Sequence, residues 1–111
     1  MKKLFKNYNF EFDKNERKVL LAFCKKLISQ LGSQEGADQY RRIFESIINK
    51  LNSPENIVKF TKEEKTRLTF SLNENLKFFE KEIKKAWFFK KWLYKSMYGQ
   101  YRNLVENHFS D

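Results

Sequence analysis

Apolar residues recur as adjacent pairs every four residues along the first third of the chain, which is typical of an amphipathic helix with one buried face. Asp13 and Glu16 precede this pattern, three residues apart, and predict a capping box at the start of the helix. Gly32 follows the last apolar position and is a favourable helix stop. The predicted buried face consists of Val19, Leu20, Phe23, Cys24, Leu27, Ile28 and Leu31.

A second helix is predicted to begin between Ser33 and Asp38, with apolar positions again three and four residues apart. The sequence Asn52-Ser53-Pro54 ends it. Ser53 and Pro54 then predict a short helical turn, which Ser53 caps and Pro54 begins. We expect Ile57, Val58 and Phe60 in this turn to be part of the core. The predicted face of the second helix is Ala37, Tyr40, Ile43, Phe44, Ile47, Ile48 and Leu51.

Aromatic residues alternate over part of the N-terminal segment, at Phe5, Tyr8, Phe10 and Phe12. An edge strand without a partner would not be stable. We therefore interpret residues 1–12 as an N-terminal arm that packs on a helical bundle.

The C-terminal half predicts a long helix. Thr61 and Glu64 form a second capping-box pattern, and neither Gly nor Pro occurs between Lys62 and Tyr98. A helix of that length would span about 55 Å, more than the first two helices can cover. Lys90 interrupts the apolar face, so we expect a break within residues 84–90. The predicted face is Leu68, Leu72, Leu76, Phe79, Ile83, Ala86, Trp87, Leu93, Tyr94, Met97, Tyr101 and Leu104.

Together these patterns predict an all-α fold: a small bundle of three to four helices forming one domain over residues 1–111, with a long, continuous or broken, C-terminal helix. Hydrophobic residues make up 41% of the 111 residues, which is sufficient for a core. No apolar stretch is long enough to span a membrane, and polar residues interrupt the segment that follows Met1. We therefore expect no signal peptide and a cytoplasmic protein.

The net charge of +9 is distributed unevenly along the chain. Residues 81–102 hold seven lysines and arginines but one acid, Glu82, whereas residues 32–80 are neutral overall. Such a field attracts anionic partners and accelerates their association.

A basic and aromatic stripe accounts for much of this charge. Its residues are three or four positions apart and would share about a quarter-turn of an unbroken helix. Cations in this arrangement can follow a phosphate backbone while rings contact bases. The stripe consists of Lys77, Lys81, Lys84, Phe88, Lys91, Lys95, Tyr98 and Arg102. Trp87, Phe89 and Trp92 are a second candidate group, a hydrophobic partner interface.

The leading hypothesis is a non-enzymatic binding protein that docks on nucleic acid or a nucleoprotein complex through this basic, aromatic helix. The alternative is a protein-interaction module, or an inhibitor or immunity-type module, that acts on an acidic protein or a membrane surface. A homodimer formed through the 62–104 region is a third hypothesis. Both features also have a purely structural interpretation, in which no partner is involved. A row of lysines is most often only the solvated face of a helix, and the aromatic residues of the C-terminal helix can pack against the N-terminal arm.

The sequence predicts no catalytic site, metal site, cofactor or small-molecule substrate. His108 is the only histidine and Cys24 the only cysteine, so the residues from which most catalytic sites are built are scarce in this chain. Cys24 falls on the apolar face of the first helix, where a cysteine acts as a small hydrophobic residue.

Overall fold

A computed structural model describes residues 8–32 and 35–109, apart from the side chain of Phe89. It confirms a small, predominantly helical fold with a long C-terminal helical region, and adds one small sheet. The elements are β1 (Tyr8–Glu11), α1 (Lys14–Ser29), α2 (Ala37–Leu51), β2 (Ile57–Phe60), α3 (Lys62–Lys85), α4 (Phe88–Leu104) and a terminal π-helical turn (Val105–Phe109).

Both predicted capping boxes are present. At the start of α1, Asp13 Oδ1 accepts from the Glu16 backbone N–H at 2.7 Å, and Glu16 Oε1 accepts from the Asp13 N–H at 2.9 Å. At the start of α3, Thr61 Oγ1 and Glu64 Oε1 make the same reciprocal pair at 3.1 and 2.9 Å. Each box satisfies two N–H groups at a helix start, where no intrahelical acceptor exists.

Glycines mark the limits of the first two helices. After α1, Gly32 has φ of 66°, in the left-handed region that glycine adopts without a steric cost. Gly36, with φ of 86°, immediately precedes α2, so this helix starts within the predicted interval. The buried residues of the two helices lie on their predicted faces and are Leu20, Phe23, Cys24, Ala37, Ile43, Phe44, Ile47 and Leu51.

The sheet corrects two predictions. β1 and β2 pair antiparallel, with Tyr8 opposite Phe60 and Glu11 opposite Ile57. Residues 8–11 therefore form a strand within the segment predicted as a packing arm, and the predicted helical turn after Pro54 is instead a bend that leads into β2. Val58 and Phe60 are buried as predicted, but Ile57 is 40% exposed. Residues 1–7, including Phe5, lie outside the described residues.

The chain divides into two compact units, residues 1–65 and 66–111. The first contains β1, α1, α2, β2 and the start of α3, and its core includes Phe10, whose ring lies 5.3 Å from that of Phe60. The second contains the rest of α3, α4 and the terminal turn. One domain spanning residues 1–111 stays a prediction.

The predicted break within 84–90 is confirmed. α3 ends at Lys85, Trp87 is extended with φ −65° and ψ 159°, and α4 begins at Phe88. α4 turns back toward α3, because the Phe79 ring lies 5.8 Å from that of Tyr94 and stacks at 5.9 Å on that of Tyr101. Within the described part of the chain, no helix combines the length and apolarity needed to cross a membrane.

Because of this break, the single apolar face predicted for residues 68–104 is only partly buried. Leu68, Leu72, Phe79, Tyr101 and Leu104 are buried as the face requires. Trp87 and Leu93 belong to the predicted face, but they are 80% and 48% exposed. The helical phase does not continue through the extended residue at position 87, so the assignment is wrong for these two positions.

Candidate anion-binding surface

The break divides the predicted stripe between two helices. Lys77, Lys81 and Lys84 lie on α3, whereas Phe88, Lys91, Lys95, Tyr98 and Arg102 lie on α4. A straight row of eight residues on one helix therefore does not form.

A hydrogen bond joins the two halves of the stripe. Tyr98 on α4 donates its hydroxyl to Glu80 Oε2 on α3, at 3.0 Å. Lys77 and Lys84 lie three residues before and four residues after Glu80, so they share its side of α3. Lys95 and Arg102 bear the same relation to Tyr98 on α4. Cations from both helices therefore flank one side of the α3–α4 hairpin, which we call the basic edge: Lys77, Lys81, Lys84, Lys91, Lys95 and Arg102.

A groove of about 470 Å³ runs along α3 at this edge. Two of its carboxylates are already engaged, since Glu74 lies 3.5 Å from Lys77 Nζ and Glu80 accepts from Tyr98. In the part of the chain that the structure describes, Lys81 and Lys84 form no ion pair, so their charge is available to a ligand. The groove is lined by Glu74, Lys77, Phe78, Glu80, Lys81 and Lys84.

Tyr98 and Arg102 differ from the unpaired lysines of the basic edge, because each already forms a hydrogen bond to a glutamate. The hydrogen bond to Glu80 raises the pKa of the Tyr98 phenol above its ordinary value of 10.0. Arg102 donates from Nε to Glu106 at 2.9 Å, and this interaction raises the pKa of its guanidinium. These two residues shape the edge, and the lysines provide its available charge.

The start of α4 adds to the positive field. Its first turn holds no acidic residue, and Trp87 provides no side-chain cap for the exposed N–H groups. Lys90 and Lys91 stand at this positive end of the helix dipole, where acidic residues would be the stabilising choice. Among the described residues neither lysine forms an ion pair.

Large apolar side chains are exposed where α3 meets α4. Trp87, Phe88 and Trp92 are 80%, 72% and 73% exposed, and Leu93 joins them. We call these four residues the aromatic corner. Of the predicted hydrophobic interface, Trp87 and Trp92 thus lie at the surface, whereas the Phe89 side chain is outside the described residues. Phe10 and Phe12, by contrast, are buried within the first unit.

Sequence reasoning did not single out two further exposed rings. Phe70 and Phe78 on α3 are 59% and 49% exposed. At about 100° per residue, Phe70 lies opposite Phe79 and Phe78 lies about 100° from it. Both therefore fall off the buried face, and the helical phase carried the signal: phenylalanine outside the apolar stripe. Phe78 also lines the groove beside Lys77 and Lys81.

The other candidate groups are structurally accounted for. Burial raises the pKa of the Cys24 thiol to about 12, which keeps it protonated at neutral pH. The His108 ring packs edge-on against Phe109 in the terminal turn. Across residues 8–32 and 35–109, no three or more His, Cys, Asp or Glu side chains form a group that could hold a metal ion.

Comparison with known proteins adds no relative: no protein-family model, curated protein or solved structure matches this chain.

Proposed function

We propose that this protein is a non-enzymatic, cytoplasmic binding protein that docks on nucleic acid, alone or in a nucleoprotein complex, through the basic edge of its second unit. The observation that carries the proposal is the Tyr98–Glu80 hydrogen bond, which brings cations of two helices to one side of a hairpin. A phosphate backbone offers the matching row of negative charges.

The availability of the lysines supports the proposal. Lys81, Lys84, Lys91 and Lys95 form no ion pair within the described residues, and all but half-buried Lys91 are exposed. Each amine that neutralises a phosphate releases a condensed counterion, so affinity falls as salt rises. Four such contacts on a single strand give a slope of about −3 in log K against log salt concentration.

The first test is a salt titration of fluorescence anisotropy with labelled single-stranded and duplex oligonucleotides. The proposal expects binding at low salt with a slope near that value. Binding that does not depend on salt, or no binding at low salt despite the net charge of +9, would remove nucleic acid as the partner.

A matched pair of variants then localises the site. Replacing Lys84, Lys91 and Lys95 together by Glu should weaken binding roughly 100-fold. Replacing Lys14, Lys18 and Lys25 on α1 by Glu changes the net charge equally, and all three are exposed. This control should lose less than about 5-fold, through the general field alone. Equal losses in the two variants would mean that the basic edge is no specific site.

A second candidate function is favoured by the aromatic corner: a protein-interaction, inhibitor or immunity-type module that acts on an acidic protein or a membrane surface. Exposed Trp ringed by cations is common at the centres of protein interfaces and in interfacial helices. For a protein partner, Trp92→Ala should abolish binding and salt should have little effect. For a membrane, binding should require anionic lipid.

A further inference from the structure

We infer that the aromatic corner is a stacking platform for unpaired bases, so that the protein prefers single-stranded nucleic acid to duplex. This inference rests on the proposed function and assigns its substrate class. Base stacking on aromatic side chains tolerates any sequence, because every base has a π-face.

The indole rings of the aromatic corner are exposed to solvent. Trp87 and Trp92 leave 80% and 73% of their surface in contact with solvent. A duplex covers the faces of its bases by stacking them on one another, whereas a single strand can present them to a protein side chain. Exposed indoles therefore match the feature that single strands have and duplexes lack.

The spacing along α4 is the second argument. Phe88 and Trp92 are four residues apart on one face, which places them about 6 Å apart along the helix axis. The axial repeat in one strand of B-DNA is about 3.4 Å per nucleotide. Adjacent bases that each contact one of these rings would therefore be further apart than in a duplex.

The charge around the rings is the third argument. Lys91 and Lys95 each follow a ring by three residues on α4, and Lys84 ends the basic edge on α3 next to the corner. Rings and amines thus alternate along the helix, as bases and phosphates alternate along a strand. Among the large exposed residues of the corner only Leu93 is aliphatic, so the corner presents mainly ring faces, on which bases can stack.

Tryptophan fluorescence tests the inference without a label. The chain holds two tryptophans, and both lie at the corner. Titration of the full chain with oligothymidine should quench their emission with little change of wavelength, because the bases stack on the indoles. A duplex of equal phosphate concentration should quench much less. Vesicles that contain phosphatidylserine serve as the competing anionic surface.

Two matched variants identify the role of the rings. Trp87→Leu combined with Trp92→Leu keeps the corner apolar but removes the indoles, and should weaken single-strand binding by roughly 5-fold or more per ring, measured by anisotropy. Duplex binding should change little. Phe70→Leu removes an exposed ring elsewhere on α3 and should leave both affinities unchanged. All three positions are exposed, and circular dichroism will verify that the variants fold.

The outcomes separate the inference from the proposed function. Salt-sensitive binding that is equal for single strand and duplex, and indifferent to the Trp→Leu pair, would overturn the inference and leave the proposed function standing. Absence of salt-sensitive binding to either nucleic acid would overturn both. A blue shift of the emission with the vesicles, without quenching by oligothymidine, would assign the corner to a lipid surface instead.

Discussion

The two units of the chain use the same residue types in opposite ways. In the described part of the first unit, all phenylalanines are buried, and together they build its core: Phe10, Phe12, Phe23, Phe44 and Phe60. In the second unit Phe79 and Phe109 are buried, but the large rings exposed to solvent are Phe70, Phe78, Trp87, Phe88 and Trp92. Aromatic content alone therefore does not indicate whether rings serve a core or a surface.

The cations show the same contrast. Arg17 in the first unit donates to four backbone carbonyls, those of Leu51, Ser53, Glu55 and Asn56, and so holds the end of α2 and the approach to β2. Lys50 lies 2.6 Å from Glu64, which is 6% exposed. In the second unit, Lys81, Lys84, Lys91 and Lys95 have no such partner among the described residues. Arg17 and Lys50 thus stabilise the fold of the first unit, whereas these four lysines of the second unit make no such structural contact within the part of the chain that the structure describes.

The same substitution in the two units should give the sharpest contrast. Phe44 is fully buried and stacks on Tyr40 at 5.0 Å, so Phe44→Ala should lower the free energy of unfolding by about 3–5 kcal/mol. Phe70→Ala should change it by less than about 0.5 kcal/mol, because this ring is 59% exposed. Urea denaturation followed by circular dichroism measures both. Similar losses would show that Phe70 belongs to a core.

Arg17 should matter more for stability than its exposed neighbour. Arg17→Ala leaves several carbonyls at the end of α2 without their donor and should cost about 2 kcal/mol. Lys18→Ala, at an exposed position on α1, should stay within about 0.5 kcal/mol. Thermal and urea unfolding of the two variants compare them directly. An unaffected Arg17→Ala variant would contradict a structural role for this charge.

Glu64 should make the stability of the first unit depend on pH. Burial by itself raises the pKa of its carboxyl, but hydrogen bonds from Lys50, Ser46 and the Thr61 N–H outweigh burial and lower the pKa below 4.5. Because the folded state favours the ionised form, its contribution is present above pH 4.5 and is lost as the pH falls. Glu64→Gln should therefore cost about 1–2 kcal/mol at pH 7 and progressively less in acid.

The control for this pH dependence is Glu63→Gln, which removes an equal charge from an exposed neighbouring position. Urea denaturation between pH 7 and pH 3 gives the free energy of unfolding at each pH. The values for Glu64→Gln and the wild-type protein should converge as the pH falls, whereas those for Glu63→Gln and the wild-type protein should stay a constant difference apart. A Glu64→Gln deficit that does not shrink in acid would contradict the assigned ionisation.

The smallest effect concerns the groove. Glu80→Gln removes a negative charge from its lining while an oxygen remains to accept from Tyr98. The affinity for an anionic strand should rise roughly 3-fold, as expected for one unit charge at about 7 Å in water. Anisotropy at low salt measures this change. Unchanged or weaker binding in Glu80→Gln would show that the charge of the groove does not set the affinity.

Local signals predicted the helices well. Each correct prediction depends on residues within a few positions of one another. These predictions are the Asp13–Glu16 and Thr61–Glu64 capping boxes, the helix stop at Gly32 and the helix break indicated by Lys90. The β1–β2 pair could not be predicted in this way, since each strand has four residues and its partner lies about fifty positions away. The pairing stabilises what would otherwise be an isolated strand.

The candidate site was predictable in its residues but not in its arrangement. The lysine spacing identified the basic positions, yet only the structure shows that a reversal at Trp87 and a hydrogen bond from Tyr98 bring the two halves to one edge. Phe70 and Phe78 could have been found from helical phase alone.

Amide NMR during titration with an unlabelled oligothymidine shows whether binding belongs to the second unit. We expect chemical-shift changes to concentrate on residues 77–102, including the indole N–H signals of Trp87 and Trp92, while α1 is nearly unaffected. Changes centred on α1 and its lysines, or spread evenly over both units, would contradict this expectation.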